Sequence, residues 1–124
     1  QIRALLEVLR GLKARYRIPS SNFLGHGDVA PGRKVDPSRH FPWERLATEG
    51  FGLWCRQQAT SSLPYPADSL LALQATGYDV SDPAAALAAF RRHFLGIDTR
   101  SEVSEAERQL MQCLALEKRR KPMP

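Results

Sequence analysis

Residues 25 to 37 read GHGDVAPGRKVDP, a run punctuated by Gly25, Gly27, Pro31, Gly32 and Pro37 that carries three chemically committed side chains. His26 stands ten positions before Asp36, and Lys34 two before it. A neutral imidazole nitrogen and a carboxylate oxygen are both ordinary ligands of Zn²⁺, and a catalytic zinc site takes three protein ligands with a fourth position open to water. The run therefore offers two of the three. On residue type alone a blander reading competes, because His and Asp are common in surface loops and two ligands define no tetrahedron. Lys34, beside Arg33, would then be a solvated cation. The backbone chemistry does favour closure: Pro31 fixes its own φ and Gly32 can take a φ that other residues avoid, so the loop can turn Asp36 back beside His26. A loop of about ten residues closes at modest entropic cost.

The continuation, HFPWERLATEGFGLW at residues 40 to 54, extends the pattern. Together the two strings resemble the C-terminal part of the zinc-dependent N-acetylmuramoyl-L-alanine amidases of the type 2 amidase family, which share their fold with peptidoglycan-recognition proteins. Within that family they look most like the AmiD-like cell-envelope amidases, which carry a small peptidoglycan-binding domain after the catalytic one. The motif departs from the family's at Gly27, where Ser is common, and at Ser38, where Gly is common; neither is a ligand position. The resemblance implies that His26 and Asp36 ligate Zn²⁺ and that Lys34 is catalytic, its cation placed where oxyanion charge develops on the scissile amide. Water activated by the zinc would be the nucleophile. It further implies a first zinc-binding His on an early strand and a general-base Glu, both N-terminal to this region. The chain is thus expected to carry only part of the site, to be inactive alone, and to need the missing N-terminal part of the same protein as a partner. The implied location is the bacterial cell envelope, in the periplasm, with membrane contact only through an N-terminal anchor not in this chain.

Composition sets few further limits. The 124 residues are 43% hydrophobic and 25% charged, ordinary for a globular protein, and no apolar run is long enough to span a bilayer. The net charge of +5 owes much to Lys118-Arg119-Arg120-Lys121. Such a tail is usually solvated, or assists attraction to an anionic polymer such as the cell wall. No aromatic residues interleave with it and no recognition helix is evident, so no nucleic acid is expected as a partner. Cys55 and Cys113 lie far apart and form no CxxC pair, which predicts small buried thiols and no disulfide framework.

Along the chain, Ile2, Leu5, Leu6, Val8, Leu9, Leu12 and Tyr16 recur at mostly helical spacing and predict an amphipathic helix over residues 2 to 16, ended by Ile18-Pro19. Residues 22 to 25 read as a short extended piece bringing His26 to a strand end. Residues 43 to 55 read as a short helix broken at Gly50 or Gly52, with Trp43 and Trp54 as packing residues. The stretch QQATSSLPYP at residues 57 to 66 has linker character. Beyond it come three helices: one capped by Asp68 and stopped by Gly77, one opened by Asp82-Pro83 and running to Phe94, and one opened by the capping box Ser104-Glu105-Ala106-Glu107. His40 is expected at the surface or behind the site, and His93 on a helix surface.

The expected architecture is therefore the C-terminal part of an α/β amidase domain over residues 1 to 56, mostly helical with a short strand. A linker over 57 to 66 and an all-α three-helix bundle over 67 to 124 would follow. That last part is similar in order and pattern to the appended peptidoglycan-binding domain, with Tyr78, Arg91 and Arg92 as candidate exposed contacts to glycan or stem peptide. The function so read is cleavage of the amide between N-acetylmuramic acid and the L-alanine of the stem peptide. A non-catalytic wall-binding fragment is the alternative, and a basic helical nucleic-acid binder has only charge in its favour.

Overall fold

The computed structural model describes residues 1 to 55 and 68 to 119; the expected linker and the last cations of the tail lie outside these. Among the described residues six α-helices follow in order: α1 Ile2–Tyr16, α2 His26–Val29, α3 Trp43–Thr48, α4 Ser69–Thr76, α5 Pro83–Phe94 and α6 Glu105–Arg119. The apolar stripe of α1 buries Leu6 and half-buries Ile2, Leu5 and Leu9 against Trp43, Leu46 and Phe51. The helix ends when Arg17 turns left-handed, at φ 54° and ψ 47°, two residues ahead of Pro19. Its ammonium of Lys13 then ties three elements, donating to Ser20 Oγ at 2.7 Å and to the Gly50 carbonyl at 2.6 Å.

No strand forms among the described residues, which corrects the expected strand end at His26. Ser20–Asn22 winds into a single 3₁₀ turn, and although Phe23 and Gly25 have extended dihedrals, no neighbouring backbone runs beside them as a ladder. Extended backbone becomes sheet only when a partner takes its N–H and C=O groups. Here one bond, from the Gly52 N–H to the Ser20 carbonyl at 2.8 Å, crosses to this segment.

The caps of the later helices are where the sequence puts them. Asp68 accepts from the N–H groups of Leu70 and Leu71, and Asp82 from that of Ala85. Ser104 and Glu107 exchange reciprocal bonds of 3.0 and 3.1 Å, the two halves of a capping box. α4, α5 and α6 share a core of Leu73, Tyr78, Phe90, Phe94, Met111 and Leu114. The arrangement is more than a bundle of these three, because α5 also packs against α2 and α3.

Packing between the helices overturns the expected placements of Arg91 and of the two cysteines. Arg91 is buried to 1% exposure: its guanidinium pairs with both Glu107 oxygens at 2.7 and 3.0 Å and donates to the carbonyls of Thr99 and Glu102. A charge this deep is tolerated because its donors are met. It staples α5 to α6 and to the intervening loop, and it is not a surface contact for glycan. Cys55 and Cys113, expected as free thiols, are joined in a disulfide with Cα atoms 6.2 Å apart. Separation along the chain did not measure separation in space: the turn after α3 brings Cys55 against α6, within the usual bridging range of about 4.4–6.8 Å.

Candidate metal centre

Gly25 is extended, with φ −82° and ψ 158°, and the next residues wind into the single turn of α2. The Ala30 N–H closes that turn on the His26 carbonyl at 3.0 Å. Pro31 and Gly32 reverse the chain, Gly32 at φ 83°, where only glycine sits without strain. The N–H groups of Arg33 and Lys34 both reach the Ala30 carbonyl, and the returning limb of the loop is locked by a 2.7 Å bond from the Gly27 N–H to the Asp36 carbonyl. Gly27 is buried at this closure: a Cβ on it would lie 3.0 Å from the Lys34 carbonyl oxygen and 3.4 Å from that of Asp36.

The loop brings together the two side chains expected as ligands. His26 Nδ1 and Asp36 Oδ2 are 3.4 Å apart, each more than half exposed. A charge-assisted hydrogen bond would be shorter, about 2.7–2.9 Å. Two donors each about 2.0–2.2 Å from one zinc at a tetrahedral angle stand about 3.3–3.6 Å apart, so the observed separation fits a shared metal ion. The donor types fit as well. Among the described residues no third His, Cys, Asp or Glu joins them as a cluster. Lys34 is exposed on the same loop, and His40 is exposed, bonded through its backbone N–H to Ser38 Oγ.

Asp28, two residues after His26, faces the opposite way. Its Oδ2 accepts from the Gly25 N–H at 3.0 Å and from His93 Nδ1 at 2.6 Å, and its Oδ1 accepts from the Tyr78 hydroxyl at 2.5 Å. His93 is therefore not a helix-surface residue: it is 6% exposed, stacked on Trp43 with ring centres 3.9 Å apart and planes 9° off parallel. Tyr78, expected as an exposed contact, is likewise buried. Burial first, then the Asp28 carboxylate, pushes its phenol well above the usual value, so it stays a hydrogen-bond donor. Arg92, the third expected contact, does reach the site. Its guanidinium lies close to Gly27, and with Asp36 and His93 it lines a small recess under the loop.

Sequence alone assigned Asp28 no role and placed His93 on a helix surface. A signal for His93 was present: Ala86, Ala89, Phe90 and His93 follow at helical spacing, so a His on the stripe of Phe90 is a buried one.

No family model matches the chain. N-Acetylmuramoyl-L-alanine amidase AmiD of Escherichia coli strain K12 is 37% identical over 109 residues, 76% of this chain and 40% of the relative. A 1,6-anhydro-N-acetylmuramyl-L-alanine amidase, AmpD of Enterobacter cloacae, is 42% identical over 46 residues, 37% of this chain and 25% of the relative. Among solved structures, E. coli AmiD in complex with the substrate anhydro-N-acetylmuramic acid-L-Ala-D-γ-Glu-L-Lys superposes with a TM-score of 0.75 at 34% identity, over 96% of this chain and 52% of the other. AmpDh3 of Pseudomonas aeruginosa, in complex with an anhydromuramic pentapeptide, gives a TM-score of 0.75 at 28% identity, over 90% and 50%. The relatives of this chain are thus muramoyl-L-alanine amidases, and the chain spans about half the length of those it matches, or less.

Proposed function

We propose that this chain contributes part of the active site of a zinc-dependent peptidoglycan amidase, which cleaves the amide between N-acetylmuramic acid and the L-alanine of the stem peptide. The observation that carries the proposal is the 3.4 Å approach of His26 Nδ1 to Asp36 Oδ2 on an exposed loop, in a chain whose relatives are amidases of that name. His26 and Asp36 would hold Zn²⁺. When bound, the metal supplies a Lewis-acid centre that polarises the scissile carbonyl and lowers the pKa of water. Lys34 would set its ammonium beside the amide oxygen as negative charge develops there. The stem peptide would lie along a groove of about 340 Å³ between the loop and α5, with Gly32, Val35, Ala84 and Ala88 on its walls and the cations of Arg92 and Arg100 available to peptide carboxylates.

The remaining expectations enter the same proposal. The third ligand and the general base would come from the rest of the protein, docked on the exposed apolar stripe Val8, Leu12 and Tyr16 of α1. The Cys55–Cys113 bridge supports an oxidising compartment such as the periplasm. α4 to α6 would contribute wall binding.

The test incubates the 124-residue chain with zinc and a muramoyl-tripeptide, following release of free peptide, then repeats the assay with an N-terminal amidase portion from a relative added as a separate chain. Release only on mixing is the expected result. Robust release by the chain alone would contradict the partial-site reading, and none under either condition would contradict the amidase reading.

A further inference from the structure

We propose that Asp28 is a positioning residue: its carboxylate, held by His93 and Tyr78 of the C-terminal helical part, fixes the loop so that His26 and Asp36 stay at ligating separation. The inference rests on the zinc reading of those two side chains, although its first readout does not need the metal. Asp28 sits on the same turn as His26, yet its side chain is 9% exposed where that of His26 is 54% exposed. Three donors converge on it, and they come from three places: the Gly25 N–H at the loop's entry, the Tyr78 hydroxyl just past α4, and His93 Nδ1 near the end of α5. One carboxylate therefore joins the loop to a face built 50 and 65 residues away.

The donors are themselves immobilised. The His93 ring is clamped between Trp43 and Phe94, at 3.9 and 4.0 Å between ring centres. Trp43 belongs to the core of α1 and α3, and Phe94 to that of α4 to α6. Because a carboxylate accepts at Nδ1, that nitrogen carries the hydrogen, which leaves Nε2 buried with no partner. Buried polar atoms are rarely left so, and the orientation that orphans Nε2 is the one that aims Nδ1 at Asp28. Asp28 is the third residue of α2 and its carboxylate also takes the N–H of Gly25, which precedes His26 at the helix start, while the Gly27 N–H between them grips Asp36 through its carbonyl. Freeing the Asp28 carboxylate would loosen both ligands at once. Groups that orient ligands from behind are typically worth about 10- to 100-fold in metal affinity.

The experiment follows two quantities in the 124-residue chain: hydrogen exchange of the Gly27 amide without metal, and zinc affinity by titration. Asp28→Ala should speed Gly27 exchange and weaken zinc binding, each by about 10-fold or more. Asp28→Asn and Tyr78→Phe, which keep part of the network, should move both in the same direction by less. If the alanine variant does not fold, these two carry the comparison. Glu107→Gln serves as the control for general destabilisation: it should lower the melting temperature while leaving Gly27 protection, relative to the amides of α6, as in the wild type. Unchanged Gly27 exchange in the Asp28 variants would overturn the proposal, as would equal loosening of Gly27 in Glu107→Gln. A wild-type chain that binds no zinc even with the N-terminal amidase portion of a relative added, with the Gly27 response intact, would defeat the zinc reading and leave the positioning role standing.

Discussion

At the scale of single residues, His26, Asp36 and Lys34 differ in what their loss should do. On the proposed zinc site, assayed with the N-terminal amidase portion of a relative added, Asp36→Ala should remove most of the metal, whereas Lys34→Ala should leave it bound and slow turnover by about 10²- to 10³-fold, the usual range for an electrostatic donor; metal content and kcat measured on the same preparation separate the two. Loss of zinc from Lys34→Ala would show its role is wrong. Arg91 and Glu107 carry a different prediction. Removing one partner of a buried pair costs about 3–5 kcal/mol, so Arg91→Ala should fall in that range by denaturant unfolding. The Arg91 hydrogen bonds hold the Glu107 carboxyl below its ordinary value, against the opposing effect of burial. A depressed carboxyl stabilises the fold above its unfolded pKa, about 4.3, and loses that contribution as pH falls through the folded value. Stability measured from pH 5 downward should therefore drop in the wild type and drop less in Glu107→Gln. The approach of His26 to Asp36 was legible because the two are closely spaced on a loop that Pro31 and Gly32 reverse. Arg91 was not, since a charged residue on a helix is buried only when partners outside that helix meet it, here Glu107 and Thr99; for His93 the spacing from Phe90 marked burial but not its partner Asp28, 65 residues away.

At the scale of elements, what the sequence revealed are the pieces whose signals are local. Asp68, Asp82 and Ser104 announced three helix starts because an N-cap satisfies amides two or three residues away. Asp82→Ala should accordingly cost about 0.5–2 kcal/mol, read from chemical denaturation, and an unchanged midpoint would mean that Pro83 alone starts the helix. The extended stretch before His26 was legible as extended but not as unpaired, because a strand is defined by its neighbour. The left-handed turn at Arg17 and the full width of the α1 stripe were also partly misjudged: Val8 and Tyr16 follow the helical period, yet stay 58% and 62% exposed.

At the scale of the whole molecule, the two ends of the chain are tied by contacts that cross the expected linker: Asp28 to His93 and Tyr78, Trp43 to His93, and Cys55 to Cys113. The disulfide closes a loop of 58 residues, for which about 2–4 kcal/mol of stabilisation is typical, so a reductant or Cys113→Ser should lower the melting temperature measurably. An unshifted melting curve would argue that the bridge does not form in solution. The central claim concerns the loop that these contacts support, and it is tested most directly by X-ray absorption at the zinc edge on the wild-type chain and on Asp36→Ala. The account predicts one zinc with nitrogen and oxygen neighbours at about 2.0–2.2 Å, including an imidazole, and loss of that signal on substitution of Asp36. A bound zinc with no imidazole shell, or one indifferent to Asp36, would contradict it.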